Sequence, residues 1–203
     1  MINEKEVSKK GNRFWKIITE SSTYPITVAE VKEFARIDGN EEDDFLLSII
    51  QSITKLTETY LSRSLITQTI KLIMDEWNLN EIELPMPPLI SVTNIVTVDE
   101  SDVETVYSSD NYYVITESIP GRIVIKNGCT SPTNTERYYG GYKITYQAGY
   151  GTAENVPKQI RLAMLQWATM IYEKRSMTDN DMKQNEPPPE VKKILQPYRV
   201  LRI

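Results

Sequence analysis

The sequence predicts an α+β protein, in which N- and C-terminal helices form a helical bundle and a small antiparallel β-domain is inserted between them. Up to residue 64 and again after residue 151, apolar residues recur every three or four positions, which is typical of amphipathic helices. Between residues 65 and 150 the apolar period changes to two, which is typical of strands with one buried face. The chain has 203 residues, enough to bury a sizeable core.

Residues 1–24 are predicted to be an N-terminal extension, whose first 13 residues are polar and basic and are expected to be mobile until a neighbour holds them. The first part of the bundle, residues 25–64, follows. Thr27 and Glu30 have the spacing of a capping box, in which each side chain accepts a hydrogen bond from the backbone of the other residue. This first helix is predicted to run to about Arg36.

The second helix is predicted from about Glu41 to Leu61 and carries the clearest apolar stripe of the chain. Its first turn holds four carboxylates, Glu41 to Asp44, which suit either a metal ion or the positive end of the helix dipole. The glycine and the closing glutamate of a calcium-binding loop are missing, so the dipole interpretation is favoured and no metal site is predicted. The stripe consists of Phe45, Ile49, Ile50, Ile53, Leu56, Tyr60 and Leu61.

The inserted β-region, residues 65–150, is predicted to contain five to seven strands in a small antiparallel sheet or barrel. Alternation is clearest around Ile70 and Ile144. The prolines between residues 85 and 88 cannot donate ladder hydrogen bonds and predict an edge or a break, and Gly140-Gly141 suits a hairpin turn with positive φ. Shorter strand-like runs span residues 82–84, 92–98, 112–115 and 122–125.

A third long helix is predicted from Pro157, because proline is well tolerated in the first helical turn, to about Arg175. With the polar loop 177–185 it forms the second part of the bundle, residues 151–186. Residues 187–203 begin with three prolines, which form a stiff spacer. A short helix over 190–195 is expected next.

Composition excludes several kinds of active site. The chain has no histidine and one cysteine, Cys129, which rules out Cys/His zinc sites, internal disulfides and Ser-His-Asp triads. The side chain best suited to proton transfer near neutral pH is therefore missing. Carboxylate, lysine or tyrosine chemistry stays open, and an enzyme that uses two carboxylates is a third alternative, but we predict a protein that is not an enzyme and that has no cofactor.

The formal net charge of −5 is unevenly distributed along the chain. Residues 65–150 carry eleven acidic and five basic side chains, whereas residues 151–203 carry six acidic and nine basic ones. An acidic body does not favour tight binding to duplex DNA, which depends on neutralising phosphates, but it lets a duplex slide past. No apolar run approaches the roughly 18 residues of a membrane helix, and the first six residues are too polar for a secretory signal.

Two short motifs have a chemical and a plain interpretation. Gly149-Tyr150-Gly151 is similar to the start of a dinucleotide-binding loop, but the third glycine and the βαβ setting are missing, which favours a strand-to-helix turn. Cys129 lies in a turn-rich stretch in which only Lys126 and Arg137 are basic neighbours, which favours an inert thiol.

Eight tyrosines lie in or near the β-region. Their rings can stack on bases or sugars, or they can fill a core and a protein interface. The acidic charge of this region disfavours nucleic acid and favours core and interface. A carbohydrate- or host-surface-binding module is the alternative function. The tyrosines are Tyr107, Tyr112, Tyr113, Tyr138, Tyr139, Tyr142, Tyr146 and Tyr150.

The C-terminal segment beyond the prolines alternates apolar residues with Lys192, Lys193, Arg199 and Arg202. Either it folds back onto the bundle or it is an arm that docks on another protein. We favour the arm and expect that removing residues 190–203 leaves a folded protein. One such arm binds weakly, because its ordering entropy offsets the burial of its anchors, but arms presented together from a ring bind strongly.

Sequence blocks along nearly the whole chain, from about Trp15 to Ile203, carry a family resemblance through their order and spacing. The chain resembles the head-to-tail adaptor (connector) family of long-tailed phages, prophages and gene-transfer particles. It departs from the family pattern at 34–36 and near 129–130, which are both packing positions. The blocks include PITVAEVK at 25–32, RSLITQT at 63–69, AGYG at 148–151, YEKR at 172–175 and LQPYR at 195–199.

The resemblance implies a structural subunit of a virion, in a ring of roughly twelve copies that closes head to tail beneath the portal. It implies that DNA passes through the lumen with transient, non-specific contact. The implied partners are the portal protein and a stopper or tail-completion protein, and the implied location is the virion neck, after assembly in the host cytoplasm. Portal docking is predicted for Leu195, Pro197, Tyr198, Arg199 and Leu201.

Overall fold

The computed structural model describes residues 13–77, 80–132, 137–174 and 186–201, which form two compact units. The helical unit combines Ser21–Ile66 with residues 150–201, and the β-unit combines residues 13–20 with Thr67–Gly149. The mixed α+β class predicted from the sequence is confirmed. No helix within the described ranges is long and apolar enough to cross a membrane.

Four helices make up the helical unit, and α3 contacts each of the other three. The predicted helix boundaries agree with the observed ones within two residues, and Pro157 precedes α3 as its N-cap rather than lying inside it. The helices are α1 (Val28–Ala35), α2 (Asp43–Leu61), α3 (Lys158–Glu173) and α4 (Pro189–Leu195).

The start of α1 is fixed by the predicted capping box. The Thr27 hydroxyl accepts the N–H of Glu30 at 3.2 Å, and the Glu30 carboxylate accepts the N–H of Thr27 at 2.8 Å. Arg161 of α3 forms an ion pair with the same carboxylate and donates its Nε–H to the carbonyl of Pro25 at 3.0 Å. The cap therefore also attaches α1 to α3.

The core of the helical unit forms where the apolar faces of α2, α3 and α4 meet. Four of the seven predicted stripe residues of α2, including Ile50 and Ile53, are buried there. Phe45, also predicted to lie in the stripe, is at the surface beside the Tyr172 ring, with 6.4 Å between ring centroids. Trp167 of α3 is 4% exposed and is the largest side chain of this core.

The β-unit contains two antiparallel sheets. The five-stranded sheet has the order β1-β2-β8-β4-β5, and the three-stranded sheet has the order β3-β7-β6. Apolar residues from both sheets share one core. The strands are β1 (Arg13–Thr19), β2 (Gln68–Met74), β3 (Glu81–Glu83), β4 (Leu89–Val98), β5 (Glu104–Tyr107), β6 (Tyr112–Ile115), β7 (Arg122–Ile125) and β8 (Tyr142–Ala148).

The predicted break at the prolines is confirmed, because they connect β3 in one sheet with β4 in the other. Tyr146 is fully buried and donates its hydroxyl to the carbonyl of Pro85 at 2.8 Å. Gly140 has the predicted positive φ, 64°. Its turn leads into β8, whose neighbours β2 and β4 are distant in sequence, so the predicted tight hairpin is wrong.

Seven of the eight described strands lie within residues 65–150, which confirms the predicted five to seven, but they belong to two sheets, so the prediction of one sheet or barrel is wrong. β1 lies inside the stretch predicted as an N-terminal extension, and its alternation is interrupted by a bulge between Ile17 and Thr19. β5 is short and mostly exposed, so it has no alternating pattern to detect. The predicted mobile N-terminus, apart from Arg13, and the predicted loop 177–185 lie outside the described residues.

Candidate docking site at the C-terminus

The segment after the proline spacer folds back onto the helical unit. Val191 and Leu195 of α4 are fully buried in the core of that unit. The expectation that residues 190–203 can be removed without unfolding does not hold, because the truncation would open this core. Four of the predicted docking residues lie at or near the surface, Pro197, Tyr198, Arg199 and Leu201, and their binding to a portal stays a prediction.

Arg63 attaches the chain at Tyr198. It directly follows the C-cap of α2 and is only 8% exposed. Its Nε–H donates to the carbonyl oxygen of Tyr198 at 2.5 Å, and a terminal nitrogen donates to the Tyr150 hydroxyl at 3.3 Å. Hydrogen bonds from a charged donor each contribute roughly 1.5–3 kcal/mol. Arg63 therefore fixes the backbone of the C-terminal segment at Tyr198.

The C-terminal end of α2 supplies a second attachment. Ser62 has a φ of 53°, which ends the helix and leaves last-turn carbonyls without helical partners. The carbonyl of Leu61 accepts the N–H of Val200 at 2.9 Å. The chain is thus held as far as Val200, and Leu201 is 70% exposed immediately beyond it.

Two further contacts orient the docking side chains. The Tyr198 hydroxyl donates to Oε1 of Gln159 at 3.1 Å. The Arg199 guanidinium lies 5.1 Å from the centroid of the Tyr60 ring, a cation–π contact worth about 0.5–1 kcal/mol at an exposed site. The result is an ordered surface that combines basic and apolar groups.

The attachment does not change its charge near neutral pH. Burial raises the pKa of the Tyr150 phenol above its usual value, and the neighbouring Arg63 guanidinium opposes that shift. An arginine guanidinium stays charged at all physiological pH values. The Tyr150 phenol therefore keeps its proton between pH 5 and 8, and we expect the docking surface to stay ordered over that range.

Three of the four carboxylates at the start of α2, Glu42, Asp43 and Asp44, have a structural partner or a place in the first helical turn. Asp43 and Asp44 occupy the first helical turn, as the dipole interpretation requires. Asp43 forms an ion pair with Lys32 at 2.9 Å, and Glu42 accepts the hydroxyl of Tyr172. In the part of the chain that the structure describes, no group of three Asp, Glu or Cys residues is arranged to hold a metal ion.

The glycine motif is a turn between β8 and α3. The N–H of Gly149 donates to the carbonyl oxygen of Pro88 at 2.9 Å, and the N–H of Tyr150 donates to the carbonyl oxygen of Leu65 at 3.2 Å. Two amides that a bound phosphate would need are thus already engaged. Cys129 is a free, half-buried thiol.

Four of the eight predicted tyrosines, Tyr107, Tyr112, Tyr142 and Tyr146, pack on the core of the β-unit, and Tyr150 packs on that of the helical unit. Tyr142 lies 5.7 Å from Trp77, and the rings of Tyr107 and Tyr112 stack at 6.1 Å, measured between centroids. Three tyrosines are exposed, with Tyr138 the most open at 92%. Core packing is therefore the main use of these rings.

Arg63 is the site residue that sequence patterns missed. Its position just after a helix is typical of a solvated charge. The signal that marks it is the carbonyl of Tyr198, 135 positions away, which only the folded chain brings within reach.

The fold is similar to that of chains in three solved structures of gene transfer agent (GTA) particles. In the virion of a native GTA particle, the matching chain has a TM-score of 0.76 and 22% identity, covering 93% of this chain and 96% of that one. In the neck of an empty GTA particle computed with C6 symmetry, the matching chain has a TM-score of 0.75 and 21% identity, covering 93% of this chain and 96% of that one. In the neck of a native GTA particle computed with C12 symmetry, the TM-score is 0.72 and the identity 22%, covering 92% of this chain and 96% of that one. At this identity the likeness establishes the fold.

Comparison with curated proteins finds no match. A family model described as head completion protein matches residues 25–201, which include every described helix and every described strand except β1. The family resemblance predicted from the sequence blocks is confirmed. This chain belongs to the head completion protein family.

Proposed function

We propose that this chain is a head-to-tail adaptor, a structural subunit that forms a ring beneath the portal in the neck of a tailed phage or phage-like particle. The match of the head completion family model to residues 25–201 carries the proposal. Two of the solved structures with the same fold are GTA necks computed with C6 or C12 symmetry, which supports a ring of about twelve copies.

The proposed role is mechanical rather than catalytic. Partly buried charged groups are engaged in structural contacts, such as Glu30 in a helix cap and Arg63 in the C-terminal attachment. A ring of such subunits works through its shape and its contacts. DNA crosses the lumen with transient contact, since a net charge of −5 provides no excess of basic groups for phosphates.

The proposed portal contact is the surface formed by Pro197, Tyr198, Arg199 and Leu201, with Leu195 as its internal support. This surface differs from a free arm, because Arg63 and the carbonyl of Leu61 already hold its backbone. A surface that is ordered before binding loses less conformational entropy on docking than a mobile arm does. A stopper or tail-completion protein would bind the other face of the ring.

The test is the mass of purified cognate portal rings mixed with this protein, measured by mass photometry. We expect a gain of several 23.4 kDa subunits, near one per portal subunit. An intact portal that gains no mass would overturn the adaptor function.

The docking surface is tested with Leu201→Asp in the same assay. We expect portal binding to weaken roughly 10- to 100-fold, the equivalent of losing one buried leucine. Ile119→Asp, at another exposed apolar residue (58% exposed) in the β-unit, is the matched control and should leave portal binding unchanged. Equal effects of both substitutions would argue against a C-terminal contact.

A further inference from the structure

The five-stranded sheet of the β-unit has two open edges, β1 and β5. Among the described residues, no strand pairs with the outer side of either one. Val106 in β5 is 67% exposed, and Val103 just before it is 56% exposed. Exposed edge strands with apolar side chains readily pair with another chain, and folded proteins usually cover or protect them.

Hydrogen bonds identify the backbone groups of β5 that face outward. Val98 of β4 donates its N–H to the carbonyl of Gly141 at 2.8 Å, and its own carbonyl accepts the N–H of Arg137 from the turn before β8. Both backbone groups of Val98 therefore point away from β5. In an antiparallel ladder, the residue opposite such a residue also has its backbone N–H and C=O pointing away from the partner strand, and this direction alternates from one residue to the next. Glu104 is opposite Val98. The N–H and C=O groups of Glu104 and Val106 therefore point outward, and those of Thr105 face β4.

The same alternation fixes β1 at the other edge. The backbone groups of Gly141, which bonds Val98, face β4, so those of the next residue, Tyr142, face β2. Met74 of β2 is opposite Tyr142 and faces β8, so the backbone groups of Ile73 face β1. Ile73 is opposite Phe14. Phe14 and Lys16 are therefore bonded to β2, whereas the backbone groups of Trp15 and Ile17 point outward.

The two edges have opposite charges. β1 carries Arg13 and Lys16 and no acid, whereas residues 99–107 carry four acids and no base. Arg137 and Lys143 of the β-unit form ion pairs with two of those acids, Asp102 and Glu104. Among the described residues, no ion pair offsets the charges of the other two acids. Pairing β1 with β1, or β5 with β5, would bring like charges together. Pairing β5 with β1 brings opposite charges together.

The geometry points to a second copy of this chain as the partner, with β5 of one subunit paired to β1 of the next so that their sheets become continuous. This inference rests on the proposed ring. β1 and β5 run in the same direction, because four antiparallel pairings separate them. Neighbours in a ring of about twelve differ by a rotation of roughly 30°, so the new pair is parallel.

Backbone and side chains select the same register, with Glu104 opposite Lys16 of the next copy. In a parallel pair, a residue whose groups point outward bonds to the two residues that flank its opposite. Here those are Trp15 and Ile17, whose groups point outward. The side chains of Trp15 and Ile17 pack on the core, so the side chain of Lys16 lies on the opposite face of the sheet. Tyr107 also packs on the core, and Glu104, three positions before it, lies on the opposite face, the same one as Lys16.

The same register relieves a repulsion within the sheet. Lys16 lies directly opposite Lys71 in the β1–β2 pair, and like charges at this spacing are destabilising. The carboxylate of Glu104, which bonds Lys143 of its own subunit at 2.6 Å, would add Lys16 of the next copy as a second partner. The bulge between Ile17 and Thr19 ends the regular part of β1, which keeps the pairing short. β1 lies outside the residues matched by the family model, so family membership does not imply this contact.

A disulfide test reads the register directly. In a Cys129→Ser background, Lys16→Cys and Glu104→Cys are combined, and complexes with cognate portal rings are oxidised. Opposite residues have Cβ atoms about 4.5–5.5 Å apart, within reach of a disulfide after small adjustments. We expect a ladder of covalently linked copies on a denaturing gel. Each single-cysteine protein should give no ladder, and a mixture of the two should give dimers only.

A backbone test uses Val106→Pro, which removes an outward N–H and leaves the β4 ladder intact. Thr105 before it is already extended, as proline requires. We expect about tenfold weaker ring assembly, the effect of one lost interface hydrogen bond. Val106→Thr keeps the N–H and should assemble like the wild type. Unchanged thermal unfolding of the free protein checks that the proline variant is folded.

The outcomes separate this contact from the proposed function. Portal rings that gain mass but show no ladder would overturn the sheet pairing and leave the adaptor function standing. Crosslinked dimers of a single-cysteine protein would also overturn it, because they would mean that like edges meet. Portal rings that gain no mass would overturn the adaptor function, and the pairing with it.

Discussion

The two units differ in where the information for their order lies. In the helical unit, α1 begins at a capping box whose two residues are three positions apart. In the β-unit, β1 pairs with a strand that begins at Gln68, and the central strand β8 begins at Tyr142. Local signals therefore define the helical elements, whereas partners far along the chain define the strands.

The units also differ in what they leave open. The last described residues of the helical unit are held at two points, by the Arg63 side chain at Tyr198 and by the backbone carbonyl of Leu61 at Val200. The β-unit leaves both edges of its larger sheet without a partner among the described residues. One unit therefore presents an ordered surface, and the other presents unpaired strands, which are two different ways of binding a neighbour.

The largest expected effect comes from Trp167→Ala, which removes the largest side chain of the helical core and should lower the free energy of unfolding by about 3–5 kcal/mol. Circular dichroism follows the helices in urea, while fluorescence of the two remaining tryptophans, Trp15 and Trp77, follows the β-unit. We expect the helical transition to shift more than the fluorescence transition. Leu162→Ala, at an exposed position of the same helix, is the control and should change little. Equal shifts by both probes would mean that the units unfold as one.

A smaller effect is expected for Arg63→Met, which keeps the aliphatic contacts and removes the bonds to Tyr198 and Tyr150. We expect a loss of about 2–3 kcal/mol in unfolding free energy and faster tryptic cleavage after Arg199. Val191→Ala is a useful reference, because it opens the core beside the same segment without touching the attachment. If Arg63→Met leaves both stability and cleavage unchanged, the attachment does not order the C-terminal segment.

Thr27→Ala tests the local side of the comparison. Loss of the capping hydroxyl should reduce the unfolding free energy by about 1 kcal/mol, measured by urea denaturation. Thr27→Ser keeps the hydroxyl and should stay close to the wild type. A loss as large as that from Trp167→Ala would mean that the cap does more than end the helix.

The smallest effect concerns pH. A hydrogen bond from Lys143, together with its charge, lowers the pKa of the Glu104 carboxyl. A carboxyl with a lowered folded-state pKa stabilises the fold above its unfolded pKa, and this contribution disappears as the pH falls through the folded value. Because Glu104 is largely exposed, we expect less than about 1 kcal/mol. Comparing Glu104→Gln with the wild type at pH 7 and pH 3 isolates the contribution, which added salt should weaken.

The sequence predicted those features that depend on near neighbours. The capping box at Thr27, the apolar stripe of α2 and the short helix α4 all have such signals. It did not predict β5, whose exposed residues lack alternation, or the contact between Arg63 and Tyr198, which joins distant residues. It did not predict the burial of Leu195, which depends on how α4 packs against α3, and portal docking at the other four residues stays a prediction.

β8 lies in the middle of the five-stranded sheet, with β2 on one side and β4 on the other, and it is the last of these strands to be synthesised. When a nascent chain has emerged through residue 141, β1 can pair with β2 and β4 with β5, but the two pairs have no common neighbour. Their inner edges stay open until β8 inserts between them. Translation of the β4–β8 interval is therefore the period in which this polypeptide is most exposed to pairing with the wrong strand, including that of another nascent chain.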